Sequence, residues 1–270
     1  MKMLNRLSAD DVRLIVGRGV MTVGRRLENL GHVLQAADGF KLRRLGLSAR
    51  TVRTLRQATE SDGAPPRTVL DIGAHQGEFL AVAAAAFPDA RIHCFEPVPR
   101  SFAALQDKAR EIGGRVQCHP TALGQETGEV AINVNVFTAA SSTFDVSPLH
   151  KRAFPETAEE PSPRSVPCEQ LDVWALRNEL ERPILLKLDV QGGELDVLGG
   201  GERLLSRTAS VLVELSFDEL YLGAPLAHDV MQFLGDRGFR LTEFLGDLRD
   251  RSGRLLQTDA IFVASAARES

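Results

Sequence analysis

Cysteines and long apolar runs are both scarce in this 270-residue chain. Its three cysteines, Cys94, Cys118 and Cys168, lie far apart and form no Cys-x-x-Cys pair, which argues against a disulfide framework and against a zinc site. The apolar stretch 14–23 is broken by a Gly-Arg-Gly triplet, unlike the apolar segment of a signal peptide. No stretch reaches the roughly 18 apolar residues of a membrane-spanning helix. These absences predict a cytoplasmic protein.

Aromatic residues other than phenylalanine are nearly absent, because the chain has one Trp and one Tyr. Proteins that bind single-stranded RNA or DNA usually stack the bases on aromatic side chains. We therefore expect no nucleic-acid partner. The remaining composition, with 43% hydrophobic and 25% charged residues, is ordinary for a globular protein.

Positive charge is concentrated near the N-terminus, although the net charge is −4. Residues 1–60 contain 12 Lys or Arg against 5 Asp or Glu, and helical patterns follow Ser8 and Ser48. Because a Gly- and Pro-containing breaker follows, we predict a helical extension at 1–62 and one domain at 63–270. The extension either packs on its own acidic domain or contacts an anionic membrane surface or an acidic partner. The sequence leaves homo-oligomerisation open.

Short apolar runs alternate with helical runs after the breaker. The first half of the domain predicts strand, helix, strand, helix and strand at 68–72, 78–87, 91–95, 100–112 and 116–119. This order indicates parallel strands that are joined by right-handed helical crossovers.

The middle of the domain interrupts this alternation. An added strand is predicted at 129–137 and a long proline-containing loop at 138–168. Strands and helices then resume at 183–190, 194–205, 210–215 and 227–238, before a hairpin of 240–244 and 258–264. The pattern predicts a Rossmann-like α/β fold whose seven-stranded sheet is mostly parallel and closes with an antiparallel hairpin.

A glycine-containing turn carries the strongest local signal, in the segment TVLDIGAHQG at 68–77. Gly73 permits a sharp turn after the strand, and Gly77 permits close approach by a ligand or a helix. Asp71 offers an acceptor to an ammonium or hydroxyl group, which argues against a pyrophosphate at the same place. The segment is neither GxGxxG nor a P-loop, so an ordinary strand-to-helix turn is the alternative.

Acidic residues end several of the predicted strands. Glu96 ends the second strand, where a carboxylate can accept hydrogen bonds from both hydroxyls of a ribose. Asp189 ends the strand 183–190, and Glu214 lies near the end of the next one. Ligands of open α/β sheets bind outside the carboxyl ends of the strands, so these residues predict a nucleoside-binding cleft. For Lys187 we favour a structural role, either as an inward ion-pair partner or with its stem buried.

Five segments in this order resemble the motifs of FkbM-type methyltransferases, namely 71–77, 95–99, 170–172, 187–200 and 213–214. The resemblance covers about residues 67–264. It implies the class I methyltransferase fold, S-adenosylmethionine as cofactor, and a hydroxyl acceptor on a sugar, glycan or secondary metabolite. The chain departs from the family pattern at His75, where Asn is usual, at Gln191, where Glu is common, and at the additional Gly193.

The resemblance also implies roles for individual residues. The methionine end of the cofactor would be held by Asp71, Gly73, Ala74 and Gly77. The ribose would be bound by Glu96, and the adenine would be bordered by Thr121 and Ala122. The predicted cofactor site is completed by His75, Pro97 and Asp189.

Methyl transfer to a hydroxyl benefits from a general base. Asp189 is the first candidate because its strand end faces the predicted cleft, and His75 and His119 follow because imidazole titrates near neutrality. Each has a structural alternative; Asp189 could bind the cofactor's amino group or cap the next helix. No ligand spacing demands a metal ion, and none is predicted.

Two other classes of protein are alternatives to a methyltransferase. A nucleotide-dependent oxidoreductase needs GxGxxG and a catalytic Tyr or His, and we expect the single tyrosine, Tyr221, to lie outside the cleft. A non-catalytic nucleoside-binding or partner protein on the same fold is the alternative that the sequence leaves open.

Overall fold

The computed structural model describes residues 49–60, 63–135, 138–154, 161–250 and 252–265, without the side chains of residues 49 and 50. Contacts between Cα atoms divide the chain into residues 1–53 and 54–270. Helix α1 (Ala49–Thr59) is present where a helix was predicted after Ser48. Most of the predicted extension lies outside the described residues, and its boundary at residue 62 stays a prediction.

Among the described residues, ten strands, seven further α-helices and a short 3-10 turn at Thr138–Ala140 follow α1. The strands are β1 (Thr68–Ile72), β2 (Arg91–Phe95), β3 (Val116–His119), β4 (Ala122–Gly124), β5 (Gly128–Val134), β6 (Ser162–Gln170), β7 (Ile184–Leu188), β8 (Ser210–Ser216), β9 (Phe239–Arg249) and β10 (Leu255–Ala264). The helices are α2 (Glu78–Ala86), α3 (Pro99–Ile112), α4 (Pro148–Ala153), α5 (Leu171–Ala175), α6 (Glu194–Gly199), α7 (Glu202–Leu205) and α8 (Ala227–Asp236).

Seven of these strands form the main sheet, in the order β3-β2-β1-β7-β8-β10-β9. Strand β1 lies at its centre and runs parallel to β2 and β7, which places Asp71 opposite Cys94 on one side and Lys187 on the other. Strand β10 runs antiparallel to both β8 and β9. The prediction of a seven-stranded, mostly parallel sheet with a closing hairpin is confirmed.

Burial explains why the central strands have their apolar sequences. Every residue of β1 and of β7 is buried, as expected for parallel strands that helices cover on both faces. Helix α3 buries Ser101, Leu105 and Ala109, which are four residues apart and share one face. Proline at its first position suits a helix start, where no backbone N–H is needed.

The prediction of a loop over 138–168 is wrong in two places. The segment contains α4 and β6, and β6 is the middle strand of a second, three-stranded sheet of order β4-β6-β5. Two prolines of β6, Pro163 and Pro167, pair with β5 alone, because β4 pairs only with residues 168–170. A strand tolerates proline where it is paired on one side, so prolines do not exclude a strand here.

The helix predicted at 194–205 is divided into α6 and α7. A side chain on Gly200 would put its Cβ 2.0 Å from the carbonyl oxygen of Gly124, and one on Gly201 would collide with Leu171. The break is therefore the place where the second sheet packs against the main domain. Among the described residues, no helix is both long and apolar enough to cross a membrane.

Candidate functional site

A cavity of about 940 Å³ opens at the carboxyl ends of β1, β2 and β7. One side, here called the sheet wall, consists of residues 72–76, 78–79, 95–98, 187, 189–191, 193 and 196, which belong to the main sheet and the turns and helices that follow its strands. The other side, the insert wall, consists of residues 121–130, 132, 138–139 and 141–143. The cavity therefore lies where ligands of open α/β sheets bind.

Most of the predicted site residues line this cavity. They are Gly73, Ala74, His75, Glu96, Pro97, Thr121, Ala122 and Asp189. Two predicted residues lie behind it. Asp71 is fully buried. Gly77 immediately precedes α2 and faces α3, where an added Cβ would lie 3.1 Å from Leu105.

The turn after β1 is held by close backbone contacts. Gly73 has a φ of +76°, and a Cβ on it would lie 1.9 Å from the carbonyl oxygen of Asp189. The backbone N–H groups of Gly73 and Ala74 both donate to the carbonyl oxygen of Phe95. His75 has a φ of 47°, which is unusual for a residue with a side chain. The turn is therefore packed directly against the ends of both neighbouring strands.

Glu96 is fixed by two backbone donors. Its Oε2 accepts from the N–H of His75 at 2.9 Å, and its Oε1 accepts from the N–H of Val98 at 2.8 Å. The residue is 6% exposed, and burial raises the pKa of its carboxyl to about 7 against the opposing hydrogen bonds. Each oxygen keeps a second lone pair, so this carboxylate can accept further bonds from ligand hydroxyls.

Lys187 lies between two carboxylates under the turn. Its Nζ is 3.2 Å from Asp71 Oδ1 and 3.3 Å from Asp189 Oδ2, and it donates to the carbonyl oxygen of Gly73 at 3.0 Å. Burial alone would lower the pKa of Lys187, but the two carboxylates outweigh it and raise that pKa. This lysine is therefore a cation, and it has the role of an inward ion-pair partner.

Around the cavity, carboxyl groups outnumber the ammonium group of Lys187. Burial raises the pKa of Glu194 to about 7 and that of Asp259 to about 6. It also raises the pKa of Glu214, and the neighbouring Asp189 adds to this effect. Such a surplus of acidic groups favours a cationic ligand. Within the described part of the chain, no group of three or more His, Cys, Asp and Glu side chains could hold a metal ion.

Sequence reasoning missed two groups at this site. Gln191 was noted only as a departure from the family pattern, yet its amide contacts both Asp189 and Glu214. The hydroxyl-rich run 138–143 was included in a loop, yet Thr138 Oγ1 forms a hydrogen bond of 2.7 Å with His75 Nε2. Its composition, TAASST, was the available signal, because hydroxyls are common where polar ligands bind.

His119 lies apart from the cavity lining. Its ring stacks on Phe95 with centroids 4.7 Å apart and meets Trp174 edge-on at 5.4 Å. Burial lowers the pKa of His119, and the charge of Glu169 opposes this. Packing between aromatic rings is the role that this position supports.

Comparisons with known proteins add independent information. The family described as "Methyltransferase FkbM domain" matches residues 71–241. The 2-O-methyltransferase NoeI of Sinorhizobium fredii (strain NBRC 101917 / NGR234) is 29% identical over 164 residues, which cover 59% of this chain and 67% of that protein.

Two further proteins are similar over part or most of the chain. Methyltransferase 1 of Beauveria bassiana (strain ARSEF 2860) is 28% identical over 143 residues, covering 49% of this chain and only 57% of that protein. The crystal structure of magnesium protoporphyrin IX methyltransferase from Synechocystis PCC 6803 with bound S-adenosylmethionine has a TM-score of 0.45 and 16% identity. That match covers 80% of this chain and 79% of the other.

Proposed function

Because the family match covers more than half of its residues, this chain belongs to the FkbM methyltransferase family, and we propose that it methylates a hydroxyl oxygen of a sugar, glycan or secondary metabolite. It is an S-adenosylmethionine-dependent methyltransferase. The choice of oxygen as the acceptor is supported by one observation above all. The carboxylate of Asp189, with its side chain 35% exposed, reaches the cavity where an acceptor hydroxyl can approach it.

The residues of the sheet wall fit the cofactor. S-adenosylmethionine supplies a methyl group on a positively charged sulfur, and it also carries an ammonium group. A cavity with surplus carboxyl groups suits both charges. Glu96 would accept hydrogen bonds from the ribose hydroxyls, and the closely packed turn of Gly73 and Ala74 would hold the methionine end. Thr121 and Ala122, which line the same cavity, would border the adenine.

Asp189 is the group that we assign as the general base. Its two oxygens are engaged by Lys187 and Gln191, which fix the carboxyl group at the edge of the cavity. When the acceptor oxygen bonds to the methyl carbon, the bond from that carbon to the sulfonium sulfur would break and leave neutral S-adenosylhomocysteine. The acceptor oxygen loses its proton in this step, and Asp189 is placed to take that proton. A general base typically contributes about 10²–10⁴-fold to the rate.

The cavity lining also favours a class of acceptor. The insert wall presents the hydroxyls of Thr138, Ser141, Ser142 and Thr143, together with the carboxylate of Glu129. Among the described lining residues, the only Lys or Arg is Lys187, which is already paired. A neutral or amine-bearing polyol therefore fits better than a phosphorylated acceptor, since phosphate needs basic partners.

Calorimetric titration with S-adenosylhomocysteine tests the cofactor site. We expect micromolar binding by the parent protein and at least about tenfold weaker binding by Glu96→Ala, because a buried acceptor of two hydroxyls is lost. The matched control is Glu111→Ala, which removes an exposed carboxylate from α3. Equal affinities of Glu96→Ala and the parent would contradict the assignment of Glu96.

A screen of hydroxyl compounds with labelled S-adenosylmethionine tests the acceptor. We expect label to appear on an oxygen of a neutral or amine-bearing polyol, as identified by mass spectrometry and NMR. Asp189→Asn should lower kcat by about 10²–10⁴-fold while S-adenosylhomocysteine still binds. Methylation of nitrogen or carbon instead, or full activity of Asp189→Asn, would overturn the proposal.

A further inference from the structure

We propose that Gln191 is a positioning residue that holds Asp189 in place, and that Tyr221 and Glu214 fix the orientation of its side chain. The inference rests on the proposed function, in which Asp189 takes a proton from the acceptor hydroxyl. It concerns a residue at which this chain departs from the pattern of its family.

The amide of Gln191 is fully engaged. Its Nε2 donates to Asp189 Oδ1 at 2.7 Å and to Glu214 Oε2 at 3.1 Å. Its Oε1 accepts from the hydroxyl of Tyr221 at 2.7 Å. A side-chain amide has two N–H donors and one carbonyl acceptor, so each of these groups has a partner.

The partners favour one orientation of this amide. Tyr221 is 2% exposed, and burial raises the pKa of its hydroxyl, so the hydroxyl stays protonated and donates to the amide oxygen. The amide nitrogen then faces the two carboxyl groups and donates to both. A flipped amide would place its oxygen against the oxygens of Asp189 and Glu214, and the bond to Asp189 would be lost whenever that carboxyl is ionised.

The backbone of Gln191 is fixed as well. Its φ is 55°, in the left-handed region that residues with side chains rarely adopt. Its carbonyl oxygen accepts a 2.5 Å hydrogen bond from Ser142 Oγ, so the insert wall supports the turn. Backbone strain of this kind persists where surrounding contacts hold it, and it is frequent at active sites.

The neutrality of Gln191 matters for the charge of Asp189. A glutamate here would place a third carboxyl group between Asp189 and Glu214, and like charges at this distance favour protonation. The ionisable groups that face Asp189 are Asp71, Lys187, Glu194, Glu214, Tyr221 and Asp259. Only one of them is a cation, so the neutral amide holds Asp189 without adding a further negative charge to this cluster.

NMR titration of the ligand-free protein tests this inference without any acceptor. The Asp189 carboxyl signal is identified in protein with ¹³C-labelled aspartate by its absence from Asp189→Asn. Gln191→Glu should raise its titration midpoint by at least about one pH unit. Gln117→Glu, the same change at an exposed position of β3, should leave it unchanged. An unshifted midpoint in folded Gln191→Glu would overturn the proposal.

Kinetics of Tyr221→Phe provide a second test, because this variant loses only the hydroxyl that orients Gln191. We expect kcat to fall about tenfold, the rate equivalent of one hydrogen bond, with KM for S-adenosylmethionine within twofold of the parent. When kcat is measured as a function of pH, the acid limb should move to higher pH in Gln191→Glu but not in Tyr221→Phe. An unchanged kcat in folded Tyr221→Phe would refute the role of Tyr221.

The two tests separate this inference from the proposed function. A parent enzyme that methylates no hydroxyl would remove the proposed function, and the NMR titration would still decide whether Gln191 controls Asp189. A shifted midpoint in Gln191→Glu with an active parent supports both.

Discussion

The two walls of the cavity are built differently. On the sheet wall, the polar groups have fixed partners: Glu96 is held by two backbone N–H groups, and Asp189 by Lys187 and Gln191. On the insert wall, short hydroxyl side chains predominate. Two hydrogen bonds connect the walls, one between His75 and Thr138 and one from Ser142 to the carbonyl of Gln191.

This difference suggests a different functional role for each wall. Groups that strands and backbone donors hold in place do not need to reorganise when a charged ligand binds, which is the requirement for electrostatic stabilisation. The hydroxyls of 138–143 lie outside the main sheet, on the segment between β5 and α4. We therefore expect the sheet wall to determine cofactor binding and stability, and the insert wall to determine which acceptor is used.

The largest effect should come from Gly73→Ala on the sheet wall. The added Cβ would lie 1.9 Å from the carbonyl oxygen of Asp189, at a φ of +76°, so the turn and the end of β7 must separate. We expect the free energy of unfolding to fall by about 3 kcal/mol or more and binding of S-adenosylhomocysteine to be lost. Urea unfolding and calorimetry measure these two effects.

Gly223→Ala is the matched control for this substitution. Gly223 has the same φ of +76°, but no atom lies within 4 Å of the position of an added Cβ. Gly223→Ala should therefore lower the free energy of unfolding only by the backbone strain, about 1–2 kcal/mol. If both substitutions cost the same, the close contact between the β1 turn and β7 contributes nothing, and the sheet wall is not the rigid side of the cavity.

An intermediate effect should appear in the pH dependence of cofactor binding. The pKa of Glu96 is raised to about 7 by burial, so the carboxylate that we propose accepts from ribose hydroxyls is lost as the pH falls below 7. We expect the affinity for S-adenosylhomocysteine to fall by up to about tenfold between pH 8 and pH 6, because an acid loses its charge tenfold per unit below its pKa.

Glu96→Gln isolates this effect from the other carboxyl groups near the cavity. A neutral amide has the same charge at every pH. The affinity of Glu96→Gln for S-adenosylhomocysteine should therefore be lower than that of the parent and should change less between pH 8 and pH 6. The comparison is needed because the pKa of Glu194 is also raised to about 7. An equal pH dependence in parent and variant would show that Glu96 does not titrate in this range.

The sequence predicts the sheet wall better than the insert wall, for a physical reason. Strands β1, β2 and β3 have the predicted bounds, because each is a short run rich in strand-forming residues that lies between helical runs or turn residues. The glycine turn and Glu96 follow directly from those strand ends. Strand β6 was assigned to a loop because its two prolines suggest one, and only its one-sided pairing makes them acceptable.

The hydrogen bonds that the sequence did not predict at the site join residues that lie far apart in the chain. Tyr221 lies 30 positions from Gln191, and Thr138 lies 63 positions from His75. No local pattern encodes such pairs, since they depend on how the second sheet and the turn after β8 pack onto the strand ends. Tyr221 does lie outside the cavity lining as expected, but it reaches Asp189 through Gln191.

The smallest effect should come from Thr138→Val, which removes the hydrogen bond between the walls with almost no change in shape. We expect the free energy of unfolding to fall by about 1 kcal/mol or less and the affinity for S-adenosylhomocysteine to stay within twofold. KM for the acceptor should rise, because the insert wall loses its tie to His75. The control is Thr242→Val, which removes one hydrogen bond to the carbonyl of Ile261 in the closing hairpin and should leave KM unchanged. A large loss of cofactor affinity in Thr138→Val would mean that the insert wall also organises the cofactor site, and the division of work between the two walls would not hold.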